Sequence, residues 1–224
     1  MKPLAVVVLL LFGPAAGPSE SPARSLMERA HIQAVASMKA LAVAKYHQRR
    51  LTTALDASGA PRGASKDASV EGSDGLDLSV STIFEPDRYE YTIKAPEMFR
   101  GAAVSVVSFT PLSAGSRMLA SVHHDVRNKV MNTVINHLEG RAFIDRSSGA
   151  IVHFEARLTS PPLGFALGQV FQADVSCDEI EVGTFWFPGR VIATFHYWMH
   201  DWRYLILARS VVHEHVVATF VYQS

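Results

Sequence analysis

The sequence predicts an α+β protein, mostly β, in which a single curved antiparallel sheet forms a half-open β-barrel with an N-terminal helix packed against it. Three observations carry this prediction: a well-patterned hairpin in residues 136–158, a series of strand-like segments that continues to the end of the chain, and one amphipathic helix ahead of them. Strands in series after one helix favour an antiparallel sheet, whereas alternating βαβ units would predict a parallel one.

The hairpin is the clearest local pattern in the chain. Apolar and charged residues alternate on both of its arms, which is typical of a half-buried antiparallel pair. The segment 145–149, Asp-Arg-Ser-Ser-Gly, supplies turn residues between the arms. The residues predicted to face the core are Ala142, Ile144, Val152, Phe154, Ala156 and Leu158, and those predicted to face solvent are Arg141, Asp145, His153, Glu155 and Arg157.

The first residues have the three parts of a secretory signal peptide. A lysine follows the first methionine, residues 4–12 are apolar, and residues 13–17 are mostly small. The apolar run is shorter than the ~20 residues of a membrane-spanning helix. We therefore predict a signal peptide at 1–17, a spacer at 18–24 and a single domain at 25–224, exported to the bacterial periplasm with no lipid-attachment cysteine. A buried N-terminal helix is the alternative.

The predicted helix begins at Ser25, because Ser25 and Glu28 match the capping box. Its apolar residues recur at three- and four-residue spacings up to Ala44, as expected for a helix that packs on a sheet. Residues 46–55 are predicted as the first strand. Residues 57–75 are rich in Gly, Ser, Ala and Asp, so we predict a flexible loop there.

The remaining strands are predicted from segments rich in β-branched and aromatic residues. Residues 160–168, with two prolines and two glycines, form an apolar connection, and residues 112–134 are compatible with a loop or a short helix. The predicted strands cover residues 76–84, 88–95, 103–110, 170–181, 184–188, 190–200 and 204–222.

Composition excludes several classes of function. The 224 residues include 21 basic and 21 acidic side chains, so the formal net charge is zero. Without a basic field, nucleic-acid binding is not predicted. No Gly-x-Ser-x-Gly nucleophile motif and no phosphate-binding Gly-rich loop occurs in the sequence. We predict neither enzyme activity nor a cofactor.

The ten histidines are the main reason to consider a metal. His213 and His215 would share one face of a strand, and His196 and His200 one face of the preceding segment, so four imidazoles could bind zinc. The alternative is a solvated sheet face without a fixed cluster, which we favour. The two adjacent histidines at 123–124 are explained by their position in a polar loop.

The single cysteine, Cys177, has the acidic neighbours Asp178 and Glu179. Negative neighbours raise the pKa of a thiol, and a catalytic thiol needs a lowered one. We therefore predict that Cys177 is a buried apolar residue or a lone thiol.

Several motifs in order resemble periplasmic proteins of the outer-membrane lipoprotein-sorting type, the LolA/LolB-like proteins. These motifs are His-Leu-Glu-Gly-Arg-Ala-Phe-Ile-Asp at 137–145, the return strand at 151–157, the apolar link at 163–167 and Phe-Trp-Phe-Pro at 185–188. The resemblance implies a half-open antiparallel β-barrel, closed on one side by helices, whose apolar cavity holds acyl chains of lipoproteins or other lipids. Residues 57–75 and 112–132 depart from this pattern.

The large apolar side chains exceed what one sheet face must bury, which indicates a cavity or a partner. An ordinary core under the helix is the competing explanation. We therefore predict a soluble periplasmic carrier or chaperone that binds acyl chains of lipids or lipoproteins in the apolar half-barrel cavity. The alternative is an envelope protein-interaction or sensor module on the same scaffold without lipid transport. The candidate lipid-binding residues are Ile144, Val152, Phe154, Leu158, Leu163, Phe165, Leu167, Trp186, Phe195 and Tyr197.

Overall fold

A computed structural model describes residues 21–71, 80–85, 87–112, 134–161, 163–165, 168–200 and 209–223. The helices are α1 Pro22–Leu41 and α2 Val80–Ile83. The strands are β1 Tyr46–Ala54, β2 Lys66–Glu71, β3 Tyr89–Ile93, β4 Glu97–Phe99, β5 Ala102–Pro111, β6 Leu138–Asp145, β7 Ile151–Leu158, β8 Leu163–Phe165, β9 Gly168–Val182, β10 Phe185–His200 and β11 Arg209–Tyr222. The predicted signal peptide lies outside the described residues, as do residues 113–133.

All eleven strands belong to one antiparallel sheet, in the order β2-β1-β11-β10-β9-β7-β6-β5-β3, with β4 also paired to β5 and β8 also paired to β9. Within the described residues no pairing joins β2 to β3, so the sheet is not closed into a barrel. The helix α1 packs against it and contacts both β10 and β3. The predicted fold class, mostly β with one unclosed antiparallel sheet and an N-terminal helix, is confirmed.

The core lies between the helices and one face of the sheet. Phe84, just after α2, packs edge-on against Phe109 of β5 and Phe154 of β7, with ring centroids 5.0 and 5.4 Å apart. Met27 and Ala30 of α1 are buried in the same cluster. The apolar face of the sheet is therefore covered by side chains of the chain itself.

The hairpin β6–β7 has the predicted arms and turn. The Oδ1 atom of Asp145 accepts hydrogen bonds from the backbone N–H groups and the hydroxyls of Ser147 and Ser148, at 2.5–3.0 Å. These donors lower the pKa of the Asp145 carboxyl. Gly149 has a φ of 74°, which glycine adopts without strain.

One residue of the hairpin lies on the other face from the one predicted. Phe143 pairs with His153 and Ile144 pairs with Ile151, so Val152 is the extra residue of a β-bulge. Val152 packs with Phe143 in a second cluster, apart from the main core that contains Ile144. The prediction assumed strict alternation, which a single inserted residue reverses.

The helix α1 begins at Pro22, three residues before the predicted start. Proline is favoured in the first turn because its missing N–H would have no helical partner there. The Ser25 N–H donates to the Ser21 carbonyl at 3.1 Å, so Ser25 already lies inside the helix. Glu28 instead accepts from Arg24 Nε at 3.0 Å. The helix ends at Leu41, before the predicted Ala44.

The strand predicted at 76–84 is wrong for its described part, because Val80–Ile83 forms α2. Val80, Ile83 and Phe84 are all buried, and their spacing of three and four residues suits a helix as well as an irregular strand.

The flexible loop predicted at 57–75 is wrong for residues 66–71, which form β2 and pair with β1. Backbone pairing at a sheet edge does not require large apolar side chains.

Gly140 of β6 is required by the close approach of β7. A Cβ at this position would lie 1.9 Å from the Glu155 carbonyl oxygen and 2.9 Å from the Ala156 Cα. Both are backbone atoms, so relief requires the strands to separate. The glycine of the Gly-Arg motif thus has a structural role in strand pairing.

We predict that Gly140→Ala lowers the free energy of unfolding by about 3 kcal/mol, because the strained contact cannot relax by side-chain rotation. Urea unfolding followed by circular dichroism measures the change. Gly164→Ala is the matched control, since a Cβ there meets nothing within 4 Å. Equal stability of the two variants would contradict the prediction.

Candidate functional site

Eight of the ten predicted lipid-binding residues have described side chains, and these eight fall into three groups. Ile144 and Phe154 are fully buried in the main core. The side chain of Phe165 lies outside the description, although its backbone is part of β8, and Leu167 is entirely outside it. Leu158, Leu163, Phe195 and Tyr197 lie at one end of the core face, and Val152 and Trp186 belong to the second cluster.

The space under α1 is almost filled. Ile144 is 1% exposed and Phe154 is 0% exposed, so neither lines an open trough in the described part of the chain. A cavity beneath α1, between Ala34, Ile151 and Glu179, has a volume of about 20 Å³. A volume of this size holds about one water molecule. The deep acyl cavity implied by the resemblance is therefore not present between α1 and the described strands.

The apolar end, as we call it, consists of Leu158, Leu163, Val170, Ala173, Phe195 and Tyr197. Strand register brings these residues together: Phe195 pairs with Ala173, and Val170 pairs with both Tyr197 and Leu163. Leu158 follows the pair formed by Arg157 and Asp174. Val170 and Ala173 are buried, whereas Leu163, Phe195 and Tyr197 are only partly buried against the core. Four of the predicted residues thus share one partly exposed apolar surface.

Val152 and Trp186 do not belong to the apolar end but lie in the second cluster. Val152 is buried with Val104, Val106 and Phe143, and Trp186 packs against them. Trp186 lies near the tip of the β9–β10 hairpin, and Tyr197 lies at the far end of β10. The sequence could not separate these residues, because the separation depends on the bulge at Val152 and on the length of the hairpin.

The opposite face of the sheet carries a groove of about 710 Å³, which we call the polar groove after its charged and hydroxyl side chains. Alternation along the strands does not reveal it. Arg141 Nε donates to Glu155 Oε1 at 2.7 Å, and Arg157 Nε donates to Glu139 Oε1 at 3.0 Å. The polar and charged side chains of the groove are Lys94, Ser108, Thr110, Glu139, Arg141, Glu155, Arg157, Asp174, Ser176 and Thr194, and the apolar side chain of Ile192 also lines it.

The charges of the groove balance. Three cations, Lys94, Arg141 and Arg157, accompany three anions, Glu139, Glu155 and Asp174. A balanced lining does not select a ligand of one charge sign, but it can hydrogen-bond an extended polar segment. The charged positions of β6 and β7 are visible in the sequence as outward-facing residues. Their arrangement around a concavity depends on the curvature of the sheet, which alternation does not reveal.

His196 of β10 and His213 of β11 form a stacked pair. His196 lies directly opposite His213, with stacked rings whose centroids are 4.3 Å apart. Burial and the nearby His213 lower the pKa of His196. His215 Nδ1 is 3.0 Å from Thr194 Oγ1. Among the described side chains, no three His, Cys, Asp or Glu residues are grouped to hold a metal ion. The side chain of His200 is outside the description.

Between the groove and the second cluster, side chains from β7, from β9 and from the β4–β5 turn contact one another. Asp178 of β9 contacts Arg100 Nη2 at 2.8 Å and His153 Nδ1 at 2.8 Å. The His153 ring stacks on Phe99 at 4.9 Å. Arg100 has a φ of 51° in the β4–β5 turn, and the ion pair holds this turn against β7 and β9. The contacts of the His153–Asp178 pair therefore serve to position the turn.

Cys177 lies inside the main core and is 1% exposed. Burial and the carboxyl of Glu179 raise the pKa of its thiol well above the usual value. A thiol that stays protonated and is shielded from solvent is a poor nucleophile.

We predict that Cys177 does not react with a thiol reagent such as DTNB in the native protein at pH 7. The same reagent should modify one thiol per chain in guanidinium chloride, because Cys177 is the only cysteine. Fast, stoichiometric reaction of the folded protein would show that the strand β9 opens or that the thiol is accessible.

Comparisons with known proteins find no matching protein family and no matching curated protein. Matching solved structures include a DUF1329 family protein from Desulfovibrio piger, at 8% identity and a TM-score of 0.37, over 90% of this chain and 92% of that chain. They include a putative outer membrane lipoprotein-sorting protein domain from Vibrio parahaemolyticus, at 11% identity and a TM-score of 0.35, over 88% of this chain and 94% of that chain. They also include a chain of the Pseudomonas aeruginosa MucA/MucB complex, at 10% identity and a TM-score of 0.27, over 91% of this chain and 94% of that chain.

The type of protein that the sequence resembles, the lipoprotein-sorting type, is thus among these solved structures. In the described part of the chain, no helix is both long enough and apolar enough to cross a bilayer.

Proposed function

We propose that this chain is a non-catalytic binding protein of the bacterial periplasm, of the lipoprotein-sorting type, that holds acyl chains of lipids or lipoproteins at the apolar end. The observation that carries the proposal is that Leu163, Phe195 and Tyr197, which are only partly buried, converge beside the buried Leu158. The proposal includes export by residues 1–17 and a single domain at 25–224.

Binding at a surface rather than in a deep cavity makes the length of the acyl chain important. Each buried CH₂ group contributes about 0.8 kcal/mol, so about ten methylenes would contribute roughly 8 kcal/mol before the cost of association. Micromolar binding corresponds to about 8 kcal/mol in total. The protein would therefore prefer long acyl chains to short ones.

The position of β8 fits this role. The strand pairs with the first residues of β9, and Leu163 lies directly opposite Val170. Phe165 and Leu167 follow Leu163 closely in the chain, so they remain candidate members of the same surface. No specific polar contact is needed, because an acyl chain offers no hydrogen-bonding group along its length. This is consistent with the lack of a sharp motif in the sequence.

A second candidate function is recognition of an envelope protein on the same scaffold, and the polar groove is the observation that favours it. A groove of about 710 Å³ lies within the range of ligand-binding clefts, which hold about 300–1,000 Å³. Its balanced charges and hydroxyl groups suit an extended polypeptide segment that carries both charge signs. The two candidate functions use opposite faces of the sheet, so single substitutions separate them.

We predict that Leu163→Gln weakens the binding of a fluorescent sixteen-carbon fatty acid about fivefold to tenfold, because it places an amide on the apolar end. Ile192→Gln, on the opposite face, is the matched control and should leave the affinity unchanged. Native mass spectrometry of protein purified from its own periplasm should find co-bound lipid. A wild-type protein that is folded, empty and unable to bind the probe would refute the acyl-binding proposal.

The alternative predicts a different pattern in pull-downs from envelope extracts. Arg157→Glu should remove a stoichiometric protein partner, because it reverses a charge in the groove and breaks the pair with Glu139. Arg157→Lys keeps the charge and should retain most of the binding, and Leu163→Gln should retain all of it. A partner that survives Arg157→Glu does not use the groove.

A further inference from the structure

The carboxyl of Glu179 is buried between α1 and the β9–β10 hairpin. Glu179 is 6% exposed and lies beside the small cavity, with Ser37 of α1 and Trp186 and Pro188 of β10 around it. Carboxylates are rarely buried unless they are paired with a cation. Among the described residues no ion pair to Glu179 is present, so its burial is costly in the charged form.

The contacts of Glu179 suit a neutral acid. Its Oε1 atom accepts a hydrogen bond from the Cys177 thiol, a weak donor whose Sγ atom lies 3.5 Å away. Burial raises the pKa of the carboxyl from 4.5 to about 8. At neutral pH the group is therefore mostly protonated, and it loses its proton in mildly alkaline solution.

The second half of α1 lies over this carboxyl. Ser37 Oγ accepts a hydrogen bond from the Trp186 N–H at 3.1 Å. Ala30, Ala34 and Ser37 are small side chains that let the helix approach the hairpin closely. Gln33 is the other polar side chain of α1 at the cavity, so the helix brings no cation to the carboxyl at this place.

We propose that Glu179 and Ser37 form a pH-sensitive attachment of α1 to the β9–β10 hairpin, and that a negative charge on Glu179 releases the second half of the helix from the sheet. The charged carboxyl needs water, and it gains water when the helix segment 33–41 moves away. The neutral carboxyl needs none and allows the helix to stay. The attachment lies at the hairpin tip, whereas the apolar end lies at the opposite ends of β9 and β10, so this inference does not rest on acyl binding.

The other titratable groups around Glu179 do not provide the switch. Cys177 faces it from the same strand, and its thiol stays protonated because burial raises its pKa. Tyr222 of β11 interacts with Glu179 electrostatically, and burial raises the pKa of its phenol too. Tyr46 of β1 lies beside Tyr222, with ring centroids 5.5 Å apart. Asp178 precedes Glu179 on the opposite face and is paired with Arg100.

The direction of the pH effect follows from the raised pKa. A carboxyl that binds its proton more tightly in the folded state stabilises that state fully below the ordinary pKa, and the stabilisation is lost as the pH rises towards the folded value. For Glu179 the window extends from pH 4.5 to about pH 8. Within it, the equilibrium constant for helix opening rises up to about tenfold per pH unit.

Hydrogen exchange of the full chain, measured at several pH values and corrected for the intrinsic exchange rate, tests this inference. We expect the protection of the amides at 36–41 to fall with rising pH up to about pH 8, while the amides of β6 and β7 keep theirs. In Glu179→Gln the protection of 36–41 should not depend on pH, because the amide has no charge to gain. Glu90→Gln, at an exposed position of β3, is the matched control and should behave as the wild type.

Two results would overturn the proposal. One is a pH-independent protection of 36–41 in the wild type, and the other is the same pH dependence in Glu179→Gln as in the wild type. If Glu179→Gln does not fold, Ser37→Ala provides the second measurement, and it should lower the protection of 36–41 about fivefold at every pH by removing the Trp186 hydrogen bond. The fatty-acid titration of the same samples distinguishes a failure of this inference from a failure of acyl binding.

Discussion

The packing of Phe84 against Phe109 and Phe154 is the contact on which the rest of the fold depends. It joins the helical layer to two separate strands, β5 and β7, through edge-on ring contacts, which are the favoured arrangement of aromatic pairs. Phe84 is completely buried, so each ring contributes most of its apolar area to the core. The curved sheet needs such a cover, because one of its faces is apolar along most of its width.

The pleat of the sheet places side chains of different chemistry on its two surfaces. Side chains that alternate along β7 place Phe154 and Ala156 in the core and Glu155 and Arg157 in the polar groove. The core surface is filled beneath α1 and is partly open at the apolar end. The groove surface is open along several strands and is electrically balanced. The two surfaces of the same strands thus differ in their chemistry.

The part of the fold that local patterns determine was predictable from the sequence. The arms and the turn of β6–β7 follow from alternation and from the hydrogen-bonding capacity of Asp145, and the unclosed antiparallel sheet follows from the order of the strands. The bulge at Val152 and the short helix α2 were not predictable, because one inserted residue leaves no periodic signal and a four-residue helix is too short for its spacing to be told from that of an irregular strand. The candidate site was predicted only in part, because local patterns do not give strand register. Leu163 and Tyr197 come together through the register of β8, β9 and β10. Trp186 lies at the other end of the long β9–β10 hairpin.

The unclosed sheet also has a consequence for the behaviour of the protein in solution. In the described residues β2 and β3 form the two ends of the strand order, so each presents a row of backbone groups without a strand partner. Such edges are templates for the addition of foreign strands, and proteins commonly discourage this with charged residues. Lys66 and Asp67 are exposed on β2, and Glu90 is exposed on β3. These charges discourage the pairing of either edge with a strand of another chain, even though the described sheet is left open at both sides.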